Sequence, residues 1–155
     1  MLLYSSFGLL FAATALGSSH VKRSALTDCL SSAKVPQALP GTSGFTQGIK
    51  PFNMRLQYTP AALAQPTTVQ EVQAAVSCAA SLGIKVSPKS GGHSYASHGL
   101  GGEDGHLCID MRKFTAVSID SAGIASIGPG GRLGNVATAL YNQGKKAISH
   151  GTCPG

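Results

Sequence analysis

The sequence predicts an α+β fold in which helices pack on small sheets. Two observations carry this reading. From Thr68 onward the order is helix, strand, glycine-rich loop, strands, helix, strand. The helical stretches repeat apolar residues every three to four positions, whereas the short apolar runs between them are bounded by Gly, Ser and Asp. Composition agrees with a folded domain. The hydrophobic share of 43% is ordinary, and the 12% charged share is about half the usual one, which excludes intrinsic disorder. A chain of 155 residues is long enough to bury a core.

The elements follow in order. Leu2 to Leu16 is an apolar stretch followed by small residues, the pattern of a secretory leader, and it is too short to span a bilayer. Residues 1–19 are therefore expected to be a signal peptide, cleaved near Gly17 to His20. Residues 20–23, ending in Lys22-Arg23, are expected to be a propeptide cut at the dibasic pair, leaving Ser24 as the mature terminus and residues 24–155 as the domain. Ser24 to Lys34 reads as a short helix starting near Thr27 or Asp28, and Pro36, Pro40, Gly41 and Gly44 then predict a loop to about Lys50. Pro51, Pro60 and Pro66 predict an irregular or extended stretch.

Thr68-Val-Gln-Glu71 is a capping box and opens a helix to Gly83, where a left-handed cap is wanted. Val69, Val72, Val76 and Ala79 are its expected core stripe. Strands are expected at Ile84–Ser87, Leu107–Asp110, Ala116–Ile119 and Gly123–Ile127, with Asp120 to Gly123 as the turn between the last two. Leu133, Val136, Ala137, Leu140 and Tyr141 define the apolar face of a third helix closed by Gly144, and Lys146–Ser149 is a last expected strand.

The net charge of +6 does not make a nucleic-acid surface. Its basic residues stand singly, apart from Lys22-Arg23, Arg112-Lys113 and Lys145-Lys146. The chemistry sits instead in two loops. Ser87-Pro-Lys-Ser-Gly-Gly-His-Ser-Tyr95 follows a strand, and its adjacent glycines let backbone N–H groups turn toward one point and cradle an anion. It matches neither the P-loop nor the GxGxxG pattern. The second loop, His150-Gly-Thr-Cys-Pro-Gly155, carries Cys153. A zinc site from His93, His98 and His106 is disfavoured, because these lie in irregular loop with no CxxC partner. Arg132 and its flanking glycines read equally well as structural. Four cysteines, Cys29, Cys78, Cys108 and Cys153, allow three full pairings in an oxidising compartment, and sequence alone does not choose.

Lys89-Ser-Gly-Gly-His-Ser-Tyr95, Gly101-Gly-Glu-Asp-Gly-His106, Gly128-Pro-Gly-Gly-Arg-Leu-Gly134 and Ser149-His-Gly-Thr-Cys-Pro154, in this order, resemble the vanillyl-alcohol-oxidase-type (PCMH-type) FAD-binding oxidases. Within them the chain is similar to the berberine-bridge-like group, and there to the gluco- and chitooligosaccharide oxidases. The resemblance implies the amino-terminal part of a PCMH-type FAD-binding domain, without the substrate domain. It implies bicovalent FAD, with His93 bonded to the 8α-methyl carbon and Cys153 to C6. Lys89, Ser90, Gly91, Gly92, Ser94 and Tyr95 would surround the cofactor from the first loop, and Gly151 and Thr152 from the second.

The same resemblance implies a Cys29–Cys78 bridge and leaves Cys108 as a buried thiol. It implies oxidation of the anomeric carbon of an oligosaccharide to a lactone with O2 as acceptor, in a secreted enzyme. The alternatives are an oxidase of alcohols or secondary metabolites, or an inactive truncated product. Resembled enzymes carry the catalytic base, a tyrosine, near the carboxyl end. Tyr4, Tyr58, Tyr95 and Tyr141 belong to the leader, the early loop, the flavin loop and a core helix, so no catalytic residue and no metal ligand is assigned, and the chain alone is expected to be inactive.

Overall fold

The computed structural model describes residues 9–153, with side chains from His20 onward. A four-stranded sheet forms the centre. Its strands are β1 (Gln37–Ala38), β2 (Ala62–Ala64), β3 (Val86–Lys89) and β4 (Leu107–Asp110), in the order β1-β2-β4-β3. β2, β3 and β4 are mutually parallel and β1 is antiparallel to β2. Both central strands are buried throughout, as strands covered on two faces must be. The period of two sorts their side chains. Ala62, Ala64, Leu107 and Ile109 pack under helices α1 (Leu9–Ser32) and α3 (Val69–Ser81). Leu63 and Cys108 meet Phe45 of α2 (Ser43–Gly48) and Leu100 of a 3₁₀ turn on the opposite face. β3 is an edge strand, which is where Pro88 is tolerated.

A second layer follows in sequence. β5 (Val117–Ile119) and β6 (Ala125–Ile127) form an antiparallel hairpin on which α4 (Leu133–Gly144) packs. The Asp120 carboxylate accepts from the N–H groups of Ala122 and Ile124, both at 2.9 Å, and Gly123 takes φ +81°, so the expected turn forms as read.

The capping box is present. Thr68 Oγ1 accepts from Glu71 N while Glu71 reaches back to the N–H of Thr68. At the other end Gly83 is left-handed, and the N–H groups of Gly83 and Ile84 return to Ala80 O and Ala79 O, a Schellman closure. Because Ile84 spends its N–H on the helix, β3 starts at Val86 rather than Ile84. The expected stripe is also corrected. Val69 and Val76 face outward, and the buried face is Ala75, Cys78 and Ala79, small residues that let α3 approach α1 closely enough for the Cys29–Cys78 disulfide (Cα–Cα 5.8 Å).

Other expectations change for identifiable reasons. α1 runs unbroken through Lys22-Arg23, so Thr27 and Asp28 lie inside it rather than at its start. The Thr27 hydroxyl bonds back to Ser24 O at 2.9 Å instead of capping. Residues 1–8 of the expected leader lie outside the described residues. The expected loop from Pro36 to Lys50 holds β1 and α2. α2 is capped by Thr42 Oγ1 and is too short for periodicity to reveal it. The stretch between Pro60 and Pro66 contains β2.

On α4, Val136 and Leu140 are buried but Tyr141 is exposed, since the narrow hairpin covers only a strip of the helix. The left-handed residue closing α4 is Lys145, not Gly144. Lys146–Ser149 forms no strand, and among the described residues no neighbour offers it a ladder. No helix among the described residues is long and apolar enough to cross a membrane.

Candidate flavin cleft

The first loop leaves the end of β3, held by Lys89. Its side chain is buried and turns away from the loop's open side, donating from Nζ to Gly48 O at 2.5 Å. Burial holds the amine below its ordinary pKa. Its methylenes lie directly under the loop, because a Cβ on Gly92 would come within 2.7 Å of Lys89 Cε. Gly92 also has φ +76°, so glycine is required there. Ser90 Oγ donates to Pro129 O and ties the loop to the glycine-rich turn before α4. Ser94 Oγ accepts from His98 N at 3.3 Å. Tyr95 is 76% exposed. Its ring meets Phe52 edge-on at 5.4 Å, and its carbonyl accepts from Asn53 Nδ2. Phe52 also stands edge-on to His93, at 5.7 Å.

The second wall is built backbone against backbone. Gly128 N and Gly130 N donate to Ala116 O and Phe114 O at 2.8 and 2.9 Å, and a Cβ on Gly130 would lie 2.5 Å from Met111 O. These glycines thus allow two chain segments to touch.

Between the walls lies a cleft of about 370 Å³, lined by Ser90, Gly91, His93, Arg112, Gly130, Gly131, Arg132, Leu133, Gly151, Thr152 and Cys153. It brings together six of the sequence-derived residues: Ser90, Gly91, His93, Gly151, Thr152 and Cys153. Lys89, Gly92, Ser94 and Tyr95 are not among its lining and support the loop from behind or beside it. Arg112 was missed by sequence reading, since an Arg-Lys pair after a strand carries no motif. Arg132, left undecided by the sequence, lines the cleft. Phe52 was missed because it comes from a proline-flanked stretch with no periodicity.

The arrangement suits an anionic, electrophilic ligand. Among the described residues, none of the backbone N–H groups of Ser90 to Ser94 donates to a protein acceptor, two arginines line the cleft, and no carboxylate does. An imidazole and an exposed thiol, Cys153, share it. Cys108, the other free thiol, is buried, and burial pushes it up to about 12, which makes it inert. Among the described residues no cluster of side chains could hold a metal ion.

The family described as FAD binding domain matches residues 60–154, which includes the first loop and the second as far as Pro154. The chain belongs to this FAD-binding family. It is 54% identical over 143 residues to the xylooligosaccharide oxidase of Thermothelomyces thermophilus, covering 92% of this chain and 29% of that protein. It is 52% identical over 134 residues to the chitooligosaccharide oxidase of Gibberella zeae, covering 86% and 27%. Among solved structures, the glucooligosaccharide oxidase of Acremonium strictum, described with a 6-S-cysteinyl, 8α-N1-histidyl FAD, superposes with a TM-score of 0.79. The identity there is 42%, over 84% of this chain and 27% of that one. The chain thus spans under a third of the length of these relatives. A PCMH-type FAD-binding fold, matched over its amino-terminal part, follows from these likenesses.

Proposed function

We propose that this FAD-binding chain is the flavin-holding part of a secreted oligosaccharide oxidase, in which FAD is linked through both His93 and Cys153. One observation carries the reading. The two nucleophilic side chains, distant in sequence and on different layers of the fold, line one cleft that, among the described residues, no carboxylate lines. Flavin, when bound, supplies the acceptor for two electrons and a proton drawn from a sugar C–H, with O2 as the final acceptor. The protein's part in this segment is to hold and orient.

The free amides of Ser90 to Ser94 offer donors to a pyrophosphate, and the Ser90–Pro129 bond keeps the two walls at a fixed separation. Gly91 keeps the space beside the imidazole clear, since a Cβ there would press on His93 Cε1 at 3.2 Å. Imidazole and thiolate are the nucleophiles that covalent attachment requires. The relatives named as xylo- and chitooligosaccharide oxidases support a reducing-end oligosaccharide as substrate, with oxidation at the anomeric carbon to a lactone. The Cys29–Cys78 bridge supports an oxidising, extracellular destination. No residue of this chain is proposed as the catalytic base.

Peptide mass spectrometry of the native protein tests the linkage. A flavin mass is expected on the peptides of both His93 and Cys153. Unmodified forms of both peptides from a yellow, active protein would overturn it. Xylo-, chito- and cello-oligosaccharides, each assayed for H2O2 and for the oxidised reducing end, test the substrate class. Activity confined to non-sugar alcohols would replace it.

A further inference from the structure

We propose that Arg112 is an anion-binding residue of the cleft, held by the buried Asp110 so that its free edge takes a phosphate oxygen of the cofactor's pyrophosphate. This rests on the FAD reading above and adds a residue to it. Asp110 is the last residue of β4 and is 3% exposed. Its two oxygens accept from Arg112 Nε at 2.9 Å each, Oδ2 also accepts from Nη2 at 2.5 Å, and Oδ1 accepts from the backbone N–H of Arg112 at 3.1 Å. The guanidinium is therefore locked at one edge, in the fork geometry that a lysine cannot reproduce.

Arginine has five N–H groups, and this pairing occupies those of one edge. Among the described residues the remaining N–H groups have no acceptor, the side chain is half-exposed, and it forms wall of the cleft beside Ser90, Gly91 and Gly130. A purely structural arginine would use Asp110 to fasten a turn and point its other edge at the surface. Arg112 instead lines the same cleft as the unspent amides, and on its other side a pocket shared with Gln65, Asp110 and Lys113. The charge balance points the same way. Asp110 lies near two cations, Arg112 and the buried Lys89, so positive charge is left over behind the loop. Arg132 lines the cleft too, but among the described residues its side chain makes no hydrogen bond that would fix its direction. Pre-orientation by Asp110 removes in advance the rotamer freedom that an arginine otherwise loses on binding.

The test uses the full native polypeptide carrying His93→Ala and Cys153→Ala, so that flavin binds reversibly. FAD and riboflavin affinities are measured by flavin fluorescence with and without Arg112→Met. Loss of one charge-assisted hydrogen bond is expected to weaken FAD on the order of 10- to 100-fold while leaving riboflavin, which lacks the pyrophosphate, unchanged. Unchanged FAD affinity, or an equal loss for both ligands, overturns the assignment. If Arg112→Met does not fold by circular dichroism, Arg112→Lys decides in its place. A several-fold selective loss for FAD supports the proposal, and equal affinity overturns it. A parent protein that binds no FAD, in a native form that carries none, overturns the flavin reading itself and this inference with it.

Discussion

The two layers of the molecule are built differently, and the cleft lies on their seam. From Leu26 to Asp110 the chain packs on both faces of the four-stranded sheet, with Leu26, Leu30, Leu63, Leu100, Leu107 and Cys108 essentially inaccessible and a disulfide joining α1 to α3. From Met111 to Cys153 only Val136 and Leu140 are buried. His93 stands on the first kind of structure, on a loop rooted in β3 and braced by Lys89 and Phe52. Cys153 stands on the second, exposed at the end of an irregular stretch. Both side chains are exposed, but the loop carrying His93 leaves a core strand and the stretch carrying Cys153 does not. Covalent chemistry rewards a group held near its attack geometry.

The largest effect expected is on the first layer. Cys29→Ser with Cys78→Ser opens a loop of 49 residues' separation, worth about 4 kcal/mol in the chain-entropy account. The urea midpoint should fall accordingly. Hydrogen exchange should rise in α1, α3 and β2 and stay unchanged in β5 and β6. A uniform rise over both layers would show that they fold as one unit.

A matched pair of cavities sharpens the contrast. Leu63→Ala removes a fully buried side chain packed among Phe45, Leu100 and Cys108, and should cost about 4 kcal/mol. Leu140→Ala, equally buried but flanked by exposed residues into which water and neighbours can move, should cost about 2 kcal/mol. Equal losses in chemical denaturation would mean that the second layer is as tightly packed as the first.

Lys89→Met keeps the length of the strut and removes its donor. Gly48 O then loses its partner, at about 1 to 2 kcal/mol near neutral pH. Burial lowers the amine's pKa in the fold, so folding disfavours its proton, and the native protein should gain stability as pH rises toward the ordinary lysine value of 10.5. The variant should lack that gain. Parallel stability curves for the two proteins between neutral pH and pH 10 would count against a buried, charged strut.

The contrast also explains what the sequence revealed. Local devices were legible because neighbouring residues determine them: the Thr68–Glu71 box, the Gly83 closure, the Asp120 turn and β4. His93 and Cys153, singled out through motif order, do line one cleft, although nothing in Lys89's sequence position says that it faces Gly48. Facing was read poorly. Val69 and Val76 are more apolar than Ala75 and Ala79, yet close helix approach selects small side chains. Tyr141 extends an apolar stripe beyond the hairpin that could cover it. β1, α2 and β2 are short and flanked by prolines, so their order comes from pairing with strands far away in sequence. Arg112 was hidden for the same reason, because its meaning comes from a cleft whose other wall begins beyond β6.

The smallest effect tests whether the helix start contributes independently of both cores. Thr68→Ala removes the hydroxyl that accepts from Glu71 N at 3.2 Å and should cost about 1 kcal/mol. Glu71 is held below the usual carboxylate range first by the backbone N–H of Thr67, at 2.6 Å, then by the Thr67 hydroxyl and the Thr68 N–H. A depressed carboxyl contributes stability that is complete above its ordinary value of 4.5 and is lost as pH falls through the lower folded value. The native protein should therefore lose this contribution only in acid below 4.5. Glu71→Gln, which keeps an acceptor but no charge, should lack this contribution already at neutral pH and so flatten that part of the acid limb. Since the box lies on the solvent side of α3, away from the cleft, neither variant should change flavin content. A loss of bound flavin in Thr68→Ala at full folding would mean that the helix start and the cleft are coupled, and the separation drawn between local devices and the seam would fail.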